Sequence, residues 1–202
     1  MSKVLIIVDI QNDFLPGGAL GVAKGETIIP VINQIQNQFD YIIATQDWHP
    51  ENHKSFASNH KNKKEFDVIE LNGLEQVLWA THCVQGSFGS QFSKDLKQHR
   101  ISAIIRKGMD IETDSYSGFF DNGKRNTTGL LGLLKERAVS EVYVCGLAAD
   151  YCVYYTAKDA VENGFKTFYM EDATKAISEE NYQKCKKELL SSGVVFINSS
   201  QI

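Results

Sequence analysis

Apolar positions along the chain fall into two alternating patterns. Residues 3–8, KVLIIV, form a nearly continuous apolar run, as expected of a strand buried on both faces. Ile28, Ile29, Ile32, Ile35 and Phe39 then recur at helical spacing, and residues 41–44 read as a second strand. Residues 101–106 form a third strand. Leu130, Leu133, Leu134 and Ala138 share a helix face, and residues 141–145 are a short β-branched and aromatic strand that Gly146 is expected to break. Beyond it Asp150 reads as an N-cap, Val153, Ala157, Ala160 and Val161 share one helical face, and Gly164 sits where that helix ends. A strand at residues 166–170, a helix at 179–191 and a strand at 194–197 complete the alternation. A short helix is expected at 92–98. Strands alternating with helices predict a three-layer α/β/α domain with a mostly parallel central sheet, spanning residues 1–202 as one unit.

Two long polar stretches interrupt this order, residues 45–66 and 109–126. Connections of that length in a compact domain are usually functional or disordered. Three histidines and several aromatics in the first argue for function.

Composition narrows the class of protein. The chain has 202 residues, 43% hydrophobic and 23% charged, enough for a full core. A net charge of −4 gives no basic surface for nucleic acid. The four cysteines, Cys83, Cys145, Cys152 and Cys185, form no CxxC pair and read as reduced thiols. The opening run MSKVLIIVDI is too short for a signal peptide and is interrupted by Asp9, and no run is long enough to span a membrane. A cytoplasmic protein is expected, without nucleic-acid or membrane partners; homo-oligomerisation is left open.

In open α/β sheets, ligands bind beyond the carboxyl ends of the strands. Three strands lead into reactive residues there: Asp9, Lys107 and, past Gly146, Cys152 in the first turn of a helix. Taken singly, these are a turn residue, a solvated charge and a small buried hydrophobe. Together they offer a nucleophile, a base and a cation. The helix start and Lys107 would lower the thiol pKa, and Asp9 could accept its proton. A second group comprises Asp47, His49 and His82. Asp47 and His49 lie two apart in extended chain and point the same way. Two imidazoles and a carboxylate suit a divalent metal with open positions. His53 is a further candidate, whereas His60 and His99 read as surface residues.

Six blocks carry a resemblance to a known family: VDIQNDF (8–14), TQDWHP with HKSF (45–56), THCVQGS (81–87), RKG (106–108), YSGF (116–119) and GLAADYC (146–152). Their joint order resembles the isochorismatase-like cysteine hydrolase superfamily, and the DWHP and HCVQGS blocks resemble its nicotinamidase branch. That resemblance implies a metal-dependent amidohydrolase converting nicotinamide to nicotinate and ammonia in NAD salvage. It implies a triad of Asp9, Lys107 and Cys152, and metal ligands Asp47, His49 and His82 holding zinc, with iron or manganese as alternatives. A cis Leu147–Ala148 bond is implied, with the Ala148 and Cys152 amides facing an oxyanion. Phe14, Trp79 and Tyr116 are implied around the substrate ring. The chain departs from the family at Ala149, where threonine is common, and at Ala80 or Thr81, where a proline is. Two other readings remain open: a sibling amidohydrolase acting on a ureidoacrylate or carbamoyl amide, and a non-catalytic metal- or thiol-sensing protein on the same fold.

Overall fold

A computed structural model describes residues 2–202. Six strands form one parallel sheet: β1 (Ser2–Val8), β2 (Tyr41–Asp47), β5 (Ala103–Lys107), β6 (Val139–Leu147), β7 (Lys166–Lys175) and β8 (Val195–Ile197). Their spatial order is β5-β2-β1-β6-β7-β8. The chain builds outward from β1 in one direction through β2 and β5, and in the other through β6, β7 and β8. β1 therefore flanks the switch point, where a crevice opens at the carboxyl ends of the strands. Two further strands, β3 (Val68–Leu71) and β4 (Leu74–Val77), pair only with each other among the described residues, as an antiparallel hairpin just after the first polar stretch.

Side chains of β1 alternate between two cores. Leu5 and Ile7 pack with Ile32 and Ile35 of α1 (Ile29–Ile35) on one face. Val4, Ile6 and Val8 pack on the other with α2 (Leu130–Glu136), α3 (Cys152–Glu162) and α4 (Glu179–Ser191). The five residues from Val4 to Val8 are fully buried, as a strand sandwiched between two helical layers requires. This is the three-layer α/β/α arrangement read from the pattern. Among the described residues no helix is long and apolar enough to cross a membrane.

Four local expectations are corrected. Gly146 does not break its strand, because β6 runs on to Leu147. It takes φ +118° instead, and a Cβ there would lie 2.1 Å from the Val8 carbonyl oxygen. Asp150 does not cap α3: Tyr151 occupies that position without a side-chain cap bond, and the Asp150 carboxylate accepts the amides of Ile177 and Ser178 at 2.9 and 3.0 Å. Residues 92–98 form no helix; they are turns held by bonds such as Leu96 N–H to the Ser93 carbonyl. The first polar stretch starts later than read, since β2 continues through Asp47.

Gly146→Ala combines a positive φ with a backbone collision against β1. It should cost at least ~2 kcal/mol, the scale of strain at a restricted backbone position. Denaturant unfolding checks this, and a variant within 0.5 kcal/mol of wild type (about the effect of a neutral surface change) would contradict the close approach.

Candidate active site

Parallel register brings the reactive residues to one rim. Asp47 pairs directly with Lys107 across β2 and β5, and Val8, just before Asp9, pairs with Gly146 across β1 and β6. Asp9 turns out of β1 with φ 49°, a left-handed conformation that aspartate tolerates better than most residues. Cys152 is the first residue of α3. The Leu147–Ala148 peptide is cis, as the resemblance implies.

Lys107 is the hub. Its Nζ lies 2.9 Å from Asp9 Oδ2, an ionic contact without hydrogen-bond alignment. It also pairs with Asp47 Oδ1, donates to the Ser115 carbonyl at 2.9 Å, and lies 3.4 Å from Cys152 Sγ. Thr45 Oγ1 donates to Asp9 Oδ1 at 2.6 Å. Asp9, Asp47 and Lys107 are all buried. Burial pulls the Lys107 pKa down, but the two carboxylates outweigh it and hold the ammonium well above its usual range. Burial raises Asp47, but Lys107, His49 and His82 together outweigh it and hold the carboxyl well below the ordinary carboxylate range. Asp9 goes the other way: burial dominates, helped by repulsion from Asp47, and its carboxyl is raised.

Cys152 departs from expectation. Lys107 does lower its thiol pKa, but burial and the two carboxylates push it well above the usual value. The resting group is a thiol, so a nucleophilic role needs a base in contact with it. Asp9, Asp47 and Cys152 each offer a donor atom within 4.8 Å of the others, which brings that base within reach. In the turn before α3, the amides of Ala149, Tyr151 and Val153 are bonded to the carbonyls of Lys175 and Ala148; those of Ala148 and Cys152 are not, among the described residues. Two free amides beside a thiol can stabilise an oxyanion.

Asp47, His49 and His82 converge in the same way, with donor atoms within 4.8 Å of one another. Nε2 of His49 and of His82 lie 3.5 and 3.7 Å from Asp47 Oδ2. The Nδ1 atoms are engaged elsewhere, 2.8 Å from the carbonyls of Gly108 and Ala80. Carbonyl oxygens only accept, so both Nδ1 atoms carry hydrogen, and in the neutral rings both Nε2 atoms present lone pairs on the side of Asp47. His49 Nε2 is buried without a hydrogen-bond partner among the described residues. Burial lowers the His49 pKa, but Asp47 and Asp114 together outweigh it and leave it raised, so this position favours positive charge. The donor set and the orphaned nitrogen fit a divalent metal. His53 is buried against His49, with ring centroids 4.5 Å apart, and burial pulls its pKa down to about 4. His60 bonds the Lys54 carbonyl through Nε2, apart from this group.

Phe14, Trp79 and Tyr116 line one cleft with Ala148, Cys152, Asp47 and His82. The cleft holds about 370 Å³ of empty space counted together with its open mouth, so the enclosed part is narrow and mostly apolar. Trp79 Nε1 donates to the Tyr116 hydroxyl at 3.2 Å, fixing two of the aromatics. Leu20, Asp114, Tyr151 and Ile177 also line it and escaped the sequence reading. Tyr151, beside Cys152 in GLAADYC, and Asp114, two residues before YSGF, could have been found from those blocks. Leu20 and Ile177 carry no local signal. Trp48 stacks under Arg106, 3.8 Å from the ring centre, and does not line the cleft.

Lys107→Ala would leave Asp9 and Asp47 buried without their shared cation. Breaking such an arrangement costs about 3–5 kcal/mol. Thermal and denaturant unfolding should show a loss of that order, and a loss below ~1 kcal/mol would mean water replaces the ammonium freely.

Comparison with known proteins agrees with these features. The isochorismatase domain model matches residues 3–201. The nicotinamidase of Acinetobacter baylyi is 48% identical over 98% of this chain and 93% of its own length. Among solved structures, an Acinetobacter baumanii nicotinamidase/pyrazinamidase superposes with a TM-score of 0.97 at 47% identity, covering 99% of this chain and 97% of that one. A pyrazinamidase of Pyrococcus horikoshii in complex with zinc superposes with a TM-score of 0.81 at 36% identity, over 98% and 99% of the two chains. The chain belongs to the isochorismatase domain family.

Proposed function

We propose that this chain is a metal-dependent nicotinamidase that hydrolyses nicotinamide to nicotinate and ammonia, returning the pyridine ring to NAD salvage. The observation that carries this reading is one small aromatic cleft shared by a thiol, its neighbouring carboxylate and a set of metal donors. High identity to a nicotinamidase over nearly the full length supports the substrate.

The residues act in sequence. Asp9, whose raised pKa makes it a stronger base than an ordinary carboxylate, takes the Cys152 proton. Sγ attacks the carboxamide carbon, and a C–S bond forms as the carbonyl π pair moves to oxygen. The amides of Ala148 and Cys152 stabilise that oxyanion. Asp9 returns its proton to the nitrogen, the C–N bond breaks, and ammonia leaves a thioester. Asp9 then removes a proton from water as the water attacks the thioester carbon. Collapse breaks the C–S bond and releases nicotinic acid, Cys152 recovers its proton from Asp9, and the free acid gives its proton to solvent to become nicotinate. Lys107 stays charged throughout and holds Asp9 in position.

Asp47, His49 and His82 hold the metal. Zinc is the first assignment, on the donor chemistry and the zinc-bound relative; iron or manganese would suit the same donors. When bound, the metal supplies open coordination positions that suit the pyridine nitrogen. Phe14, Trp79 and Tyr116 flank the ring.

Three measurements test this reading. Ammonia release from nicotinamide should be readily detected in the wild-type chain and lost in Cys152→Ala, with the fold intact because alanine suits a helix start. Activity near wild type in Cys152→Ala would rule out the thioester. Asp9→Asn should lower kcat by at least ~10²-fold, the usual scale for a lost general base. Chelation, or His49→Ala, should cripple hydrolysis of nicotinamide far more than the slow hydrolysis of benzamide, which lacks the ring nitrogen. Equal fold losses in kcat/KM for the two amides would show that the metal is not a ring anchor.

A further inference from the structure

A second group of donors lies beside the first. His49, His53 and Asp114 each offer one donor atom within 4.8 Å of the other two, and all three residues are buried. His49 belongs to both groups but has only one nitrogen to give, since its Nδ1 is committed to the Gly108 carbonyl.

The two nitrogens of His53 are not equivalent. The Ser55 amide donates to His53 Nδ1 at 3.1 Å, and the Ser55 hydroxyl lies 2.8 Å from the same atom. A backbone amide can only donate, so Nδ1 carries the lone pair. In a neutral imidazole the proton then sits on Nε2. Nε2 is the buried atom without a partner among the described residues. His53 therefore presents an N–H where His49 and His82 present lone pairs, and an N–H cannot bind a metal. Asp114 is its complement. Its carboxylate accepts the Ser115 amide at 2.7 Å and the Gln76 side chain at 3.2 Å, and lone pairs remain for another donor. A donor and an acceptor this close suit an oxygen that both gives and takes a hydrogen bond.

We propose that His53 and Asp114 are positioning residues that hold solvent ligands of the metal, and are not metal ligands themselves. This rests on the metal reading given above. Three protein ligands leave a divalent metal with positions for solvent. The His53 N–H donates to such an oxygen, and Asp114 accepts from it. Outer partners of this kind change metal affinity by roughly 10–100-fold.

X-ray absorption on the wild-type chain loaded with one zinc should count two bound imidazoles; three would overturn the proposal. Competition against a chromophoric chelator measures affinity. His53→Ala and Asp114→Asn should each weaken zinc by ~10–100-fold while keeping one metal per chain. His53→Gln, whose amide can place an N–H near the same point, should retain most of the affinity. Wild-type affinity in both His53→Ala and Asp114→Asn would overturn the proposal while leaving the metal site standing. A wild-type chain that takes up no zinc, iron or manganese would overturn the metal reading, and this proposal with it.

Discussion

One buried ammonium organises this site. Lys107 comes from the last residue of β5 and reaches carboxylates from β1 and β2, with the thiol of α3 beside it. Two buried carboxylates side by side would repel, and burial alone would protonate them. With the ammonium between them, Asp47 stays ionised while Asp9 keeps a raised pKa. The same cation thus supports two different tasks. Asp47 remains an anion able to face a metal, and Asp9 remains a base able to exchange a proton.

The sheet makes this arrangement possible. Strands β5, β2, β1 and β6 are consecutive neighbours, so four chain segments deliver their ends to a few ångströms of space. Gly146 matters here because only a residue without Cβ lets β6 pass so close to the end of β1. Gln11 adds a brace, exchanging hydrogen bonds with both the amide and the carbonyl of Asp47 at 2.8 Å. Rigid elements, rather than loops, therefore set the distances among the carboxylates, the ammonium and the thiol.

Much of this was legible in the residue pattern. The unbroken apolar run of β1 announced a strand covered on both faces, and strand-end residues pointed to the rim. Errors arose where tertiary contacts override local preference. Asp150 looks like a cap, but its carboxylate is drawn to the amides of Ile177 and Ser178, far along the chain. Gly146 looks like a breaker, but its positive φ is accommodated inside a continuing strand. The elevated thiol pKa of Cys152 was hidden for a related reason. A helix start and a lysine suggest a thiolate, whereas depth of burial, which no local pattern encodes, decides the net direction. Leu20 and Ile177 reach the cleft from distant segments and could not be seen before the fold was known.

Among the described residues the β3–β4 hairpin pairs with no strand of the main sheet, and Trp79 lies two residues beyond its end. Trp79 is tethered instead to its own excursion, its amide bonded to the Ser55 carbonyl and its carbonyl to the Ala57 amide. One wall of the ligand cleft is thus mounted on an appendage, while the thiol and its base are built into the scaffold. The two parts can change at different rates. A changed side chain at Trp79 can reshape what the cleft admits while Asp9, Lys107 and Cys152 keep their own supports in the sheet and α3, so new amide preferences can be reached, in nature or by design, with the reaction left in place.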